Sequence, residues 1–215
     1  MVTKKPSIGI DIHTHQTASP QKRNRVILFS VFLSTLLLFL SFHYGAVTNS
    51  LLLWELGLIQ AGLTIFFTLR ACSSLIKDQL EHLRYRLLAI LLSGFSLLLS
   101  AGYMFCEIYD RFDDHIHIQS FDALIAASAV LLGNLLIIGL MIRHRHTQLW
   151  LGSFRLSFRT IGKISLTVLL ATVVIHLTNY YFLDTILSLF LSVSLFIWAV
   201  FLVLDAYWRL GEVAE

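Results

Sequence analysis

The sequence predicts an all-α integral membrane protein, a bundle of six transmembrane helices, and three observations carry that reading. Hydrophobic residues make up 57% of the 215 residues and charged residues only 13%, with a mean hydropathy of +0.77, outside the range of water-soluble domains. Six apolar stretches are each long enough to cross a bilayer, whose hydrocarbon core of about 30 Å needs about 20 helical residues. Fifteen of the sixteen Lys and Arg residues fall on one side of the resulting zigzag. With no second composition regime, one membrane domain over residues 26–208 is expected between a polar N-terminal tail, 1–25, and a short C-terminal tail, 209–215, with no room for an appended soluble domain.

The tail precedes an apolar stretch too long for a signal-peptide core and without a small-residue cleavage pattern, so Val26–Val47 reads as a retained first span. Leu51–Cys72, Arg86–Glu107, Phe121–Ile142, Thr160–Phe182 and Ile186–Tyr207 follow as spans two to six. The start of the fifth is open toward Trp150, because Leu149–Phe158 is apolar apart from Arg155, Gly152 and two serines. Thr48–Ser50 and Leu183–Thr185 leave room only for tight turns, which makes spans one and two, and five and six, antiparallel neighbours. Cys72 and Cys106 then lie near opposite membrane faces, so no disulfide joins them.

Net charge is +3 and the pI near 9.0, but the basic residues flank apolar spans, which points to membrane orientation and excludes a nucleic-acid partner. The tail holds Lys4, Lys5, Lys22, Arg23 and Arg25; the second connection Arg70, Lys77, Arg84 and Arg86; the fourth Arg143, Arg145, Arg155, Arg159 and Lys163; Arg209 follows the last span. Only Arg111 lies on the opposite side. Positive flanks stay in the cytosol, so both termini are expected there, in a bacterial inner (plasma) membrane. The outward connection Ile108–Ser120 is acidic and carries Asp110, Asp113, Asp114, His115 and His117.

The order of these features resembles the cation diffusion facilitator (cation efflux) family, six-span exporters of divalent metals, and is most similar to its cobalt, nickel and zinc exporting branch. The resembling fragments are Asn49-Ser50-Leu51-Leu52-Leu53 with Gly57 in span two, and Arg86–Arg111 ending in Glu107-x-x-x-Arg111 in span three. They continue with Phe121-Asp122-Ala123 and the pair Gly133-Asn134 in span four, and with Leu183-Asp184-x-Ile186-x-Ser188 through Tyr207-Trp208-Arg209-Leu210 in span six. The resemblance implies a transported divalent metal ion and a metal site built from two ligand pairs, one in span two and one in span five, each at i and i+4 on one helix face. In this sequence those positions fall on Ile59 and Leu63, and on Ser157 and Ile161, none an ionised or imidazole ligand. The family's usual C-terminal dimerisation domain has no counterpart after span six. Homo- or hetero-dimer partners are carried over only as the family's habit.

Ionisable groups inside a bilayer are costly and mark candidate sites. Glu55 lies about one helical turn from the outer end of span two, and His176 lies at similar depth in span five. If those spans face each other, as the resemblance implies, the two form a displaced cation or proton site with Gln60 and Asn179 as helpers. The plainer alternative is two interfacial side chains snorkelling to the outer water. Asn134 and the serines of span six, Ser188, Ser192 and Ser194, read as helix-packing contacts. Six of the nine histidines occur as His-x-His, and alternating imidazoles can share a metal. His115 and His117, with Asp113 and Asp114 beside them, are the pair best placed for a metal, the plainer alternative being exposed loop residues with no role; His144 and His146 alternate with arginines that repel cations, and His13 and His15 lie in the tail. The candidate metal contacts are therefore Glu55, His176, Asp113, His115 and His117.

No Gly-rich phosphate loop, Cys-x-x-Cys, nucleophile elbow or paired catalytic carboxylates occur, so no enzyme and no resident cofactor are expected. The lipid bilayer and a transported divalent metal are the expected partners. The function expected is a cation-efflux-type transporter with a diverged metal site; its rival is a non-transporting relative acting as a structural or regulatory membrane partner.

Overall fold

A computed structural model describes residues 20–73, 79–112, 117–143 and 152–214. Six α-helices occupy these segments: α1 Pro20–Thr48, α2 Leu51–Ser73, α3 Gln79–Asp110, α4 Ser120–Arg143, α5 Gly152–Thr178 and α6 Phe182–Ala214. Each contains an apolar segment long enough to cross a membrane, from 19 residues in α5 to 30 in α6. Large apolar side chains cover the outer surface, among them Phe32, Leu99, Leu132, Leu170 and Phe201. An all-helical bundle with so apolar an exterior is an integral membrane protein: helices satisfy their own backbone groups where no water can.

The helices close into a ring in the order α1, α2, α3, α6, α5, α4, with every ring neighbour antiparallel and α2 drawn inward to touch α6, α4 and α5 as well. α2 is accordingly the most enclosed span. The ends of the ring differ. The turn end carries the α1–α2, α3–α4 and α5–α6 connections; the terminal end carries the starts of α1, α3 and α5 and the end of α6. One apolar cluster, containing Leu52, Leu53, Leu56, Val130 and Val168, fills the α1, α2, α4 and α5 side near the turn end. Ala123, Ala126, Ala127 and Ala171 in it bring α4 and α5 close. A second, containing Ile59, Leu63, Phe67, Leu97, Ile161 and Leu202, fills the middle of the ring further toward the terminal end.

Four of the six expected spans agree with the helices to within a few residues at the turn end, and two are corrected. Span five does not run to Phe182 but ends at Thr178, and α6 begins at Phe182 rather than Ile186. Asn179 causes the shift: its φ of 54° is left-handed, a conformation Asn tolerates at a helix C-terminus. Its N–H donates to Ile175 O at 2.8 Å, and Asp184 N–H donates to Tyr181 O at 3.0 Å to open the next helix. The tight connection is Asn179–Tyr181, not Leu183–Thr185. The first connection is as expected, with Asn49 at φ 58° as its corner. Helices α1 and α2 are close neighbours; α5 and α6 meet more sparingly, and the main partner of α6 is α3. Cys72 and Cys106 are free thiols exposed on the bundle surface.

Candidate ion seat between the second and sixth helices

A helix N-terminus leaves its first amides without intrahelical partners. At the start of α2 the carbonyl of Ser50 accepts the first helical bond, from Trp54 N–H at 3.3 Å, which places Ser50 at the N-cap. The cap itself comes from α6. Leu51 N–H donates to Asp184 Oδ2 at 2.6 Å, and the Ser50 hydroxyl donates to Asp184 Oδ1 at 2.9 Å. Asp184 is only 2% exposed. Its carboxylate faces the positive end of α2 and sits in the first turn of α6, both favourable positions for negative charge.

Asp184 begins a stripe. Ser188 and Ser192 follow at i+4 and i+8, so all three share one face of α6 at one-turn intervals. Since Asp184 meets the first residues of α2 and Ser192 meets Glu55, this face is the α2–α6 seam. The Ser192 hydroxyl donates to Glu55 Oε1, buried on both sides. Glu55 is fully buried, its second oxygen Oε2 accepts no hydrogen bond, and the buried Ser188 hydroxyl is also without a partner. Its neighbours along α2, Leu51, Leu52, Leu53 and Leu56, are all buried apolar residues. A bare carboxylate there would be stranded in an apolar medium, so the group needs a proton or a cation.

At the turn end a cavity of about 480 Å³ is lined by Asn49, Arg111, His117, Tyr180, Tyr181, Asp184 and Thr185, among others. Arg111 braces one wall. Its Nη1 donates to Asn49 O at 2.7 Å and its Nε to Glu107 Oε1 at 3.0 Å. Asp184 is the point at which this cavity meets the seam. On the far side of Glu55, by contrast, Ile59, Gly62, Leu63, Ser93, Leu97, Ile161, Trp198 and Leu202 enclose only about 10 Å³, about one water's worth of space.

The expected pairing of Glu55 with His176 is not formed. His176 Nδ1 shares a 3.0 Å hydrogen bond with Ser120 Oγ on α4, and its ring lies against Phe121. Glu55 turns instead to α6. Equal depth along two spans says nothing about the direction each residue faces. Nor does Glu55 snorkel, because it is sealed inside the bundle. The expected helpers are elsewhere too. Gln60, five residues on and so roughly 140° around α2, donates through Nε2 to Asn134 Oδ1 at 2.7 Å, and Asn134 Nδ2 donates to Ser165 Oγ at 2.8 Å. This is a separate bridge joining α2, α4 and α5, in which Asn134 has the expected packing role. Asn179 is the exposed corner described above.

His117 is exposed, and its Nε2 lies 3.1 Å from the Tyr181 hydroxyl, the two rings tilted by 50° with centroids 4.6 Å apart. Asp113 and His115 lie outside the described residues, as do His13, His15, His144 and His146. Among the described residues no three His, Cys, Asp or Glu side chains converge on one point. Ile59, Leu63 and Ile161, aligned with the metal pairs, do come together, but as part of the apolar cluster and the lining of the small void. What the sequence reading missed is the stripe Asp184, Ser188, Ser192: polar residues at i, i+4 and i+8 in an apolar span are a legible helix face.

No protein-family model matches the chain, and no curated protein matches it.

Replacing Asp184 by Ala would leave the buried Ser50 hydroxyl and the Leu51 N–H without their acceptor, at a cost of up to about 1–3 kcal/mol per group. Asp184→Ala is expected to lower the thermal midpoint in detergent and the amount of protein in the membrane, and Asp184→Asn, which keeps one acceptor oxygen, to lose less. Wild-type stability of Asp184→Ala would contradict the capping role.

Proposed function

We propose that the protein is a membrane transporter of the cation-efflux type, in which Glu55 binds the translocated or exchanged ion. One observation carries the reading: a fully buried carboxyl group with an unpartnered oxygen, held by a hydroxyl from the facing helix. An ionisable group enclosed in a membrane bundle is expensive and marks an ion pathway more often than it serves packing. The order of sequence fragments in spans two, three, four and six supplies the class, divalent cations such as cobalt, zinc or nickel. The resemblance gives no metal ligands at Ile59, Leu63 and Ile161, so the ion site in this chain is displaced about one turn toward the turn end and rotated toward α6.

A second reading has its own support. The closed apolar packing of Ile59, Leu63, Leu97, Ile161 and Leu202 across the middle of the ring suits a non-transporting relative that serves as a structural or regulatory membrane partner.

In this reading the terminal end faces the cytosol and the turn end faces outward, following the fifteen-to-one distribution of basic residues. In a protein whose native Cys72 and Cys106 are replaced, an impermeant thiol reagent added outside intact cells should label a cysteine at exposed Gln119 and spare one at exposed Gly211. The reverse pattern would invert the orientation.

Transport is tested with purified protein in liposomes, comparing uptake of cobalt, zinc, nickel and manganese under an imposed pH gradient. The wild type should move at least one of them, and Glu55→Gln should reduce that uptake by about tenfold or more, the loss that goes with about 1.4 kcal/mol of lost ion binding. If Glu55→Gln folds and transports as the wild type does, Glu55 is not the ion group. Absence of uptake for all four metals favours the non-transporting reading.

A further inference from the structure

The turn-end cavity sits at the height of a membrane surface. The apolar spans end at Thr48, Asp110 and Thr178 and resume at Leu51, Ser120 and Phe182, so the lining residues Asn49, Arg111, His117, Tyr180 and Tyr181 lie just beyond the hydrocarbon segments. Tyr109 and Tyr180 are exposed at the same end, as tyrosines are at the headgroup level of a bilayer. At about 480 Å³ the cavity has the size of a small-ligand site. It has room for a polar headgroup and none for the two acyl chains of a lipid.

Arg111 is the one Lys or Arg of sixteen on this side of the spans, where the distribution that orients membrane proteins gives it no purpose. A guanidinium carries five N–H groups. Nε and Nη2 both turn to Glu107 Oε1 at 3.0 Å, and Nη1 donates to Asn49 O at 2.7 Å. Among the described residues, one N–H on Nη1 and one on Nη2 are therefore left over, on a largely buried side chain that lines the cavity. Donors on adjacent guanidinium nitrogens are what a phosphate takes in pairs.

The rest of the lining defines the other half of the ligand. Asp184 balances the charge of Arg111 on the cavity wall, and Glu107, paired to the guanidinium, adds a second negative charge. A free anion therefore meets no net attraction. A zwitterion does: its phosphate has Arg111, and its ammonium has Asp184 and the rings of Tyr180, Tyr181 and Phe182, the last held edge-on by Phe112 at 5.5 Å. Beside the cavity α5 and α6 meet sparingly, and both helices expose apolar side chains, Leu170, Val174 and Leu177 on α5 and Phe190 on α6, on which acyl chains can lie. Anchored by those chains, a lipid headgroup is presented to the cavity at an effective concentration that no soluble phosphate reaches.

We infer that the turn-end cavity binds the headgroup of one zwitterionic phospholipid of the adjoining leaflet. Arg111 holds the phosphate, the Tyr180–Phe182 aromatics and Asp184 receive the ammonium, and the chains stay in the bilayer against α5 and α6. The bound headgroup touches residues of the α1–α2, α3–α4 and α5–α6 connections together, Asn49, His117 and Tyr181 among them. The site stands whether or not Glu55 holds an ion.

The test adds dioleoyl phosphatidylethanolamine to purified protein in detergent and counts bound lipid by native mass spectrometry. One molecule per chain should be retained, about tenfold more tightly than dioleoylglycerol, which keeps the chains and lacks the phosphate, or glycerophosphoethanolamine, which keeps the headgroup and lacks the chains. Dioleoyl phosphatidylglycerol, which has the phosphate and no ammonium, should bind several-fold more weakly. Arg111→Gln should lose about tenfold in affinity for phosphatidylethanolamine. Because that change also frees Asn49 O, Tyr180→Ala is the second variant: its exposed side chain makes no hydrogen bond among the described residues, and its loss should weaken binding several-fold at an unchanged thermal midpoint. If Arg111→Gln does not fold, Tyr180→Ala decides. Equal retention of dioleoylglycerol, preference for phosphatidylglycerol, or wild-type affinity in the folded variants would overturn the proposal. Equal retention of glycerophosphoethanolamine would give the cavity a water-soluble ligand and overturn the lipid assignment.

Discussion

The hydrogen bonds from Ser50 and Leu51 to the Asp184 carboxylate fix how the rest of the bundle can be arranged. The first amides of α2 have no intrahelical acceptor and begin at buried Ser50 and Leu51, and α6 provides the acceptor in the Asp184 carboxylate. Once Asp184 is pinned to the head of α2, the rotation of α6 is set. Ser188 and Ser192 must then line the seam, and Glu55 finds a hydroxyl rather than a leucine in front of it. A structural requirement at one helix end thereby positions the group on which the functional proposal depends.

The fragments behind the family resemblance share this character. Asn49-Ser50 and Asp184 make the α2–α6 cap. Glu107 and Arg111 form an i,i+4 ion pair whose arginine also holds the Asn49 carbonyl, tying α3 to the α1–α2 turn. Gly133 admits Leu37 of α1, since a Cβ there would lie 2.6 Å from that side chain, and Asn134 joins α2 to α5. All of these are joints between helices.

The six spans were legible because length and apolarity alone define them, and the connection at Thr48–Ser50 because Asn-Ser punctuates it. The α5–α6 connection was misplaced by four residues because Asn179 is followed by Tyr180, Tyr181 and Phe182, aromatics that read as more helix; only the left-handed φ of Asn179 separates the two. Glu55 stood out as an acid in an apolar span. Its partner did not, since depth along a helix can be counted from the sequence whereas the rotation of one helix about another is decided by tertiary packing. The stripe Asp184, Ser188, Ser192 held that rotation in its periodicity, but serines in membrane helices usually bond to their own backbone, as Ser30 and Ser194 do here.

The α6 face from the turn-end cavity to Glu55 thus carries Asp184, Ser188 and Ser192, with the apolar cluster of Ile59, Leu63, Leu97, Ile161 and Leu202 beyond it, an arrangement that suits the proposed ion-binding role of Glu55. The most direct measurement of that role is proton release from purified wild-type protein in weakly buffered detergent when cobalt or zinc is added. Binding of the metal at the expense of a proton on Glu55 predicts release from the wild type, greatly reduced in folded Glu55→Gln. Equal release from both proteins, or none from the wild type while metal binds, would contradict the account.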